Sequence, residues 1–277
     1  MRGSVVTGVL SAGLFAGSAL AQDAVQWRIE DGGNGHWYEA RIRTTGVTWF
    51  QSRDLAIELG GQLTSLETPN ERAFVFSGFS QPAAPSAWIP QVSGSTTLFG
   101  PWIGGEQAPG SAEPNSGWSW LSGEPFDPTW SFGCCNNDCF GSSEDFLHLY
   151  RSDVTLEYSW NDLRDVVTCG AQPVSFIVEY SADCNGDGVV DFGQIRAGEL
   201  DDANANNIPD CCEQGVACDC PADIDGSGAV NAIDLAIVIG YWGTDGGKDY
   251  PQADIDGSGD IDGADLATLL GSWGACE

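Results

Sequence analysis

Positive charge is what this sequence lacks most. Lys248 is the only lysine, and ten basic residues face forty acidic ones, for a net charge of −30. Repulsion on that scale excludes nucleic acid and acidic membranes as partners. Beyond residue 21 no apolar run approaches the roughly 18 residues that a spanning helix requires, so no membrane span is expected. Ser-His-Asp arrangements, phosphate-binding glycine loops and zinc signatures are also missing. In a chain of 277 residues, with room for one or two domains, these absences argue for a binding protein and against an enzyme.

What is abundant is acid in register. About half of the forty acids follow residue 182. Ala222-Asp223-Ile224-Asp225-Gly226-Ser227-Gly228 recurs thirty-one residues later as Ala253-Asp254-Ile255-Asp256-Gly257-Ser258-Gly259. The offset persists: Leu235, Val238, Ile239 and Trp242 match Leu266, Leu269, Leu270 and Trp273. Spacing of i, i+3, i+4, i+7 marks one helix face, so each copy is an acidic loop feeding an amphipathic helix. Calcium takes roughly six to eight hard oxygens, and an EF-type loop supplies them from positions 1, 3, 5, 7, 9 and 12. Those positions hold Asp223, Asp225, Ser227, the Ala229 carbonyl, Asn231 and Asp234. In the second copy they hold Asp254, Asp256, Ser258, the Asp260 carbonyl, Asp262 and Asp265. Gly228 and Gly259 stand at position 6, where the turn needs a positive φ. Val230 and Ile261, at position 8, are expected to pair across the two loops. The plain alternative is a pair of solvated acidic turns.

The repeat pair resembles dockerin modules over residues 222–275, and aspartate at position 12 is what dockerins use. The resemblance implies a small all-α domain at 220–277 made of two calcium loop–helix repeats. Calcium is then the cofactor and a cohesin-like protein the partner; a self-contained calcium module is the other reading. Cys220 and Cys276 flank the pair and are expected to clasp it.

Met1 to Ala21 reads as a secretory signal peptide. Arg2 supplies the positive start, Val5 to Leu20 is apolar, and Ala19-Leu20-Ala21 is a small-x-small cleavage site. Ten cysteines, an even count, suit disulfides in an oxidising compartment. The expected location is secreted: extracellular or at the cell surface.

Nine of the eleven tryptophans fall between Trp27 and Tyr180. His36–Ile42 reads as a first strand. Thr48 and Gln51 form a capping box that opens a helix ended by Gly60-Gly61. Leu63–Leu66 is a short strand. Thr68-Pro69-Asn70-Glu71 is a second capping box, with proline at the first helical position and a helix to about Phe79. Short strands follow at Pro101–Gly105, Gly117–Trp120, Asp145–Tyr150 and Val174–Tyr180. Two early helices and then an antiparallel sheet make an α+β plan. His148 alternates with Phe146 and Tyr150 and reads as packed, with Leu147 and Leu149 facing the other way.

This order resembles a C-type lectin-like domain over about 27–181, set within a domain spanning 22–181. The resemblance is carried by Trp49, Ala56, Gly60-Gly61-Gln62-Leu63, Trp102-Ile103-Gly104, Trp118-Ser119-Trp120, Gly123, Trp130, Glu144-Asp145, Trp160-Asn161-Asp162 and Phe176-Ile177-Val178-Glu179. The family's two conserved disulfides would fall at Ala56 with Val178 and at Phe146 with Asp165, so both are missing here. Cys134, Cys135, Cys139 and Cys169 stand elsewhere and read as staples of the long loop, with a zinc site as the weaker reading. Sugar-binding members hold calcium through an acidic Pro-containing segment, a later glutamate and the Asn-Asp after tryptophan. Glu144, Asn161 and Asp162 match the later positions. The first segment falls on Cys134-Cys135-Asn136 when aligned on Trp130, which retains only Asn136; Glu124-Pro125-Phe126 looks similar but precedes that tryptophan. The carbohydrate-binding set is therefore Asn136, Glu144, Asn161 and Asp162. A structural calcium, or plain hydrogen bonding of the loop, is the competing reading. Trp160 reads as core and not as a sugar platform.

Residues 182–219 form an acidic spacer with two further loops. Asp183, Asn185, Asp187 and Asp191 fit the calcium pattern to position 9, with Gln194 a weak position 12. Asp202, Asn204, Asn206 and Asp210 do the same, with Glu213 at position 12 and Asn207 replacing the glycine, which asparagine tolerates. These loops resemble thrombospondin type 3 repeats, in which calcium stands in for a core; a flexible acidic linker is the alternative. Cys184 is expected to pair with Cys211 or Cys212, leaving Cys218 for the other.

Together these readings predict a secreted, calcium-dependent protein that binds a glycan or cell-surface polysaccharide. Two rivals stand beside it: an adhesive or structural protein whose lectin fold binds protein, and an accessory component of a polysaccharide-degrading complex. A hydrolase would need two carboxylates about 5–9.5 Å apart, and no stretch of chain is left for a separate catalytic domain.

Overall fold

The computed structural model describes residues 20–21, 24–112, 116–126, 144–152, 157–215, 218, 220–246 and 250–276. Most of the signal segment, Trp130, Cys134, Cys135, Asn136 and Cys139 lie outside the described residues.

The N-terminal part is built on one sheet. Its strands are β1 (Leu20–Ala21), β2 (Val25–Gln26), β3 (Trp37–Ile42), β4 (Gln62–Leu63), β5 (Ile89–Pro90), β6 (Leu98–Gln107), β7 (Trp118–Trp120), β8 (Phe146–Arg151), β9 (Tyr158–Leu163) and β10 (Ser175–Tyr180). The main path runs β1-β3-β10-β6-β8-β9. First and last long strands lie side by side: β3 and β10 pair antiparallel from Ser175↔Ile42 to Tyr180↔Trp37. Strand β10 meets β6 in parallel at Phe176↔Trp102, and β8 and β9 pair without interruption.

Helix α1 (Trp49–Glu58) starts at the predicted capping box: Thr48 accepts from the Gln51 N–H, and the Gln51 side chain returns to the Thr48 N–H. Helix α2 (Pro69–Phe79) departs from its predicted box. Thr68 accepts from the Glu71 N–H, but the Glu71 carboxylate turns inward to Tyr38 and the Glu67 N–H. Alternation in β8 assigns a helix to each face of the sheet. Leu147, Leu149 and Trp160 pack with Val75 and Phe79 of α2. Phe146, Tyr150, Phe99 and Trp102 pack with Trp49 and Ala56 of α1. His148 is fully buried against Phe99 and Trp102, as its alternation predicted. Ala56 and Val178 are buried in one cluster, so apolar packing occupies the place of the absent long disulfide.

The spacer does not stand apart. It carries α3 (Asp191–Ala197) and α4 (Asp210–Gln214), and Val190 and Phe192 belong to the same buried cluster as Trp49. Asn207 donates to the Leu59 carbonyl at 2.9 Å. Cys184 bonds Cys212, and Cys211 bonds Cys218, within the pairings expected.

In the C-terminal module, α5 (Ala232–Gly240) and α6 (Gly263–Gly271) pack around Val230, Val238, Ile261 and Leu269. Disulfide Cys220–Cys276 closes it as expected. The predicted pairing of Val230 with Ile261 is not what forms. Strand β11 (Ala229–Val230) pairs with β12 (Gly274–Ala275), which follows α6. Ile261 instead exchanges backbone bonds with Gly243 and Thr244, which follow α5. Each loop therefore bonds the tail of the other repeat, and the thirty-one-residue offset relates the two sets. The buried helix stripe is also rotated from the predicted one. Val238 and Leu269 are buried, but Ile239, Trp242, Leu270 and Trp273 are about half exposed. Asp234 and Asp265 explain the rotation: both are fully buried and tied to their loops, which turns the line through them inward. Among the described residues no helix is long and apolar enough to cross a membrane.

Candidate functional site

The two C-terminal loops share one hydrogen-bond frame. Asp223 accepts from the N–H groups of Ser227 and Gly228 at 3.0 and 2.6 Å. Asp254 accepts from Ser258 and Gly259 at 3.0 and 2.7 Å. Asp234 spans its loop, taking the Asp225 N–H on one oxygen and the Asn231 N–H on the other, at 3.1 and 2.8 Å. Asp265 does the same with Asp256 and Asp262, at 3.1 and 2.7 Å. Gly228 and Gly259 have φ of 84° and 94°, the left-handed turn predicted for position 6. Ser227 and Ser258 donate to the Ala229 and Asp260 carbonyls, so positions 5 and 7 converge. Asn231 and Asp262 also cap α5 and α6, a second duty that their place before an apolar run announces.

The consequence is concentrated charge. One carboxylate oxygen each from Asp223, Asp225 and Asp234 lies within 4.8 Å of the others, and Asp254, Asp256 and Asp265 form the same triad. After Arg196 the sequence offers only Lys248 to balance them. An all-oxygen donor set without nitrogen or sulfur suits a hard divalent cation such as calcium. The residues present fit that group.

The spacer loops close on a shorter frame. In the C-terminal loops the position-3 N–H reaches the position-12 aspartate. Here the position-2 N–H reaches position 9: Cys184 to Asp191 at 3.0 Å, and Ala203 to Asp210 at 3.1 Å. The aspartates expected as position-9 ligands thus take the closing role. Position 12 still faces inward. Gln194 donates to Asp187 at 2.7 Å, and Glu213 accepts from Asn204 and Asn206, each at 2.8 Å. The Val189 N–H and the Gln194 amide hold the Asp187 carboxyl below the usual range. The sulfur cluster of Cys184, Cys212 and Cys218 is accounted for by the two disulfides.

In the N-terminal domain, Glu144, Asn161 and Asp162 are all buried. Glu144 lies just ahead of β8, and the other two are consecutive on β9. Register places Asp162 opposite Leu147 and Asn161 opposite His148, so they leave the strand on opposite faces. The Asn161 amide donates to the Asp162 backbone carbonyl at 2.7 Å, a local bond that leaves the two side chains on opposite faces of the strand. Asn136 lies outside the described residues. Trp160 is fully buried core, as predicted.

A second polar cluster escaped the sequence reading. Glu179, in β10, accepts from His36, Thr64 and the Ser65 N–H at 2.7, 3.2 and 2.9 Å. Glu71 accepts from Tyr38 at 2.6 Å and from Asn34 at 3.3 Å. Burial, with the Glu179 charge beside it, pushes the Glu71 carboxyl up to about 7. Burial alone would lower His36, but the Glu179 hydrogen bond and charge outweigh it and hold the imidazole raised. The available signal was Glu179 itself, a charge inside the apolar run Phe-Ile-Val-Glu-Tyr.

Residues 24–181 combine paired terminal strands with a helix on each face of the sheet, and the fold is C-type lectin-like. The C-terminal module is a pair of acidic loop–helix repeats. The family model described as the dockerin type I domain matches residues 221–270, and that stretch is a dockerin type I domain. No curated protein matches the chain. Among solved structures, the C-type lectin domain of murine dendritic cell inhibitory receptor 2, in complex with an N-glycan, is 16% identical. That likeness covers 53% of this chain and 92% of that one, with a TM-score of 0.37. Human lithostathine is 18% identical over 57% of this chain and 88% of its own, with a TM-score of 0.37. The herring type II antifreeze protein is 17% identical over 54% and 93%, with a TM-score of 0.35.

Proposed function

We propose that this is a secreted, calcium-dependent binding protein that takes a glycan, or a cell-surface polysaccharide, and carries no catalytic site. Four segments divide the work: a signal peptide at 1–21, a lectin-like domain at 22–181, a calcium-binding spacer at 182–219 and the dockerin-type module at 220–277. The observation that carries this reading is the pair of aspartate triads, with no arginine near them in sequence. Calcium supplies the positive charge that lets six carboxylates stand together. Asp223, Asp225, Ser227, Ala229, Asn231 and Asp234 would hold one ion, and Asp254, Asp256, Ser258, Asp260, Asp262 and Asp265 another. In the spacer, Asp183, Asn185, Asp187 and Asp191, and then Asp202, Asn204, Asn206, Asp210 and Glu213, are the corresponding sets. In the lectin-like domain, Asn136, Glu144, Asn161 and Asp162 are the residues proposed for calcium and sugar. A cohesin-like protein is the partner proposed for the C-terminal module, and the disulfides suit an oxidising, extracellular setting.

The test has two arms. Calcium titration of the full chain, followed by far-ultraviolet circular dichroism, is expected to show ion uptake and a gain of helix. Absence of both overturns the calcium reading. A glycan array run with calcium and then with chelator is expected to give chelator-sensitive hits. Silence on glycans, with binding retained to a cell-envelope protein, would replace the lectin reading with an adhesive one.

A further inference from the structure

Loop 183–194 joins an oxygen-lined cage to the surface of another domain. Asp183 accepts from the Gly186 and Gly188 N–H groups at 2.8 and 3.0 Å. Asp187 takes the Asn185 amide on one oxygen at 3.0 Å, and Gln194 donates to that same oxygen at 2.7 Å. Gln194 is only 8% exposed, its side chain is aimed into the loop, and its Oε1 meets no donor. Two amide nitrogens thus point at a carboxylate, where a cation would satisfy it better. Rotating each amide exchanges nitrogen for oxygen and leaves an all-oxygen set.

The cage ends at Asp191, and the next residue is an anchor. Phe192 stacks on Tyr180 with ring centroids 3.8 Å apart and planes 9° from parallel. It meets Trp37 edge-on at 5.7 Å. The Arg196 guanidinium lies 5.6 Å from both the Trp37 and Phe192 ring centres. Gly193 allows this approach, because a Cβ there would stand 2.9 Å from the Trp37 indole nitrogen. Trp37 and Tyr180 are the paired ends of β3 and β10, the strands that close the lectin-like domain.

We propose that Asp183, Asn185, Asp187, Asp191 and Gln194 hold a divalent cation, and that this ion locks α3 onto the Trp37–Tyr180 end of the lectin-like sheet. The proposal rests on the calcium reading of the spacer and adds its purpose: an ion outside the domain stabilises the domain. A ligand that binds only the docked state shifts the folding equilibrium by the factor one plus its concentration over its dissociation constant. With calcium at about one hundred times that constant, the lectin-like domain gains about a hundredfold in its folded-to-unfolded ratio.

The experiment uses the full chain and calcium ions, with tryptophan fluorescence in urea as the readout. All but two of the tryptophans lie in the lectin-like segment, so fluorescence follows that domain. Asp187 is exposed, so Asp187→Asn removes a ligand charge without disturbing a core. This variant is expected to lose most of the calcium-dependent gain while the C-terminal module keeps its helical response to calcium. Phe192→Ala is expected to retain ion uptake by the loop and still lose the gain. An undiminished gain in Asp187→Asn, or in Phe192→Ala, overturns the lock while leaving the C-terminal sites standing. A wild-type chain that takes up calcium only in the C-terminal module, with no gain in the lectin-like domain, overturns it as well. No uptake anywhere overturns the calcium reading itself.

Discussion

Glu71→Gln tests whether burial sets the acid–base behaviour of the lectin-like core. Glu71 is 1% exposed, and its carboxyl is pushed from an ordinary value of 4.5 up to about 7. Between those values the folded chain holds a proton that the unfolded chain releases. Stability from this group therefore falls as pH rises from about 4.5 to 7, then levels off. A shift of this size corresponds to about 3 kcal/mol. Glutamine is neutral throughout, so the variant gains on the wild type by about that amount across the same window. At low pH the variant starts within about 1 kcal/mol of the wild type, because the protonated Glu71 carboxyl and the glutamine amide each keep one carbonyl oxygen as acceptor. Working with the difference between the two proteins matters, because His148 acts in the opposite sense. Its imidazole is pushed down to about 3 by burial, so it favours folding as pH rises toward 6.5. That slope is common to both proteins and cancels. His36 faces the same cluster and is raised in part by the Glu71 charge, so its contribution is coupled to the substitution; a raised imidazole loses stability only as pH climbs above 6.5, the upper edge of the window. The assay is urea unfolding followed by tryptophan fluorescence at several pH values in saturating calcium. A stability difference that stays constant across the window would refute the reasoning.

Two further outcomes are expected. Cys276→Ser opens a closure of 56 residues, which in the chain-entropy model costs about 4 kcal/mol, and the C-terminal module should melt well before the lectin-like domain on heating. The His148 ring should show no titration shift by nuclear magnetic resonance between about pH 5 and 8, since burial holds it neutral down to about 3, and a midpoint near 6.5 would contradict that packing.

Local chemistry was legible in the sequence, and long-range chemistry was not. Thr48 with Gln51, and the glycines at position 6, announce their structures because each rule involves residues a few places apart. At Asp223–Asp234 a twelve-residue loop closes on its own last aspartate, a contact that local spacing announces. At Asp183 and Asp202 the closing bond falls three residues short of position 12, because the aspartate at position 9 lies near the position-2 N–H. Pairing across elements was the blind region. Nothing near Val230 says that it will meet Gly274 and not Ile261. Nothing near Glu71 says that Tyr38 will draw its carboxylate away from the helix cap. The docking of Phe192 was hidden for the same reason, since Tyr180 and Trp37 become neighbours only once the sheet has closed.

The crosswise bonding of the two C-terminal repeats makes them obligate halves. A single repeat would keep its loop and helix but lose the backbone edge that holds the loop shut, so neither copy is a folding unit. If calcium fills these cages as proposed, an ion in one would draw in the segment that follows the other helix and so pre-shape the second cage before its own ion arrives. Filling should therefore be steep in concentration, a switch that is either whole or undone.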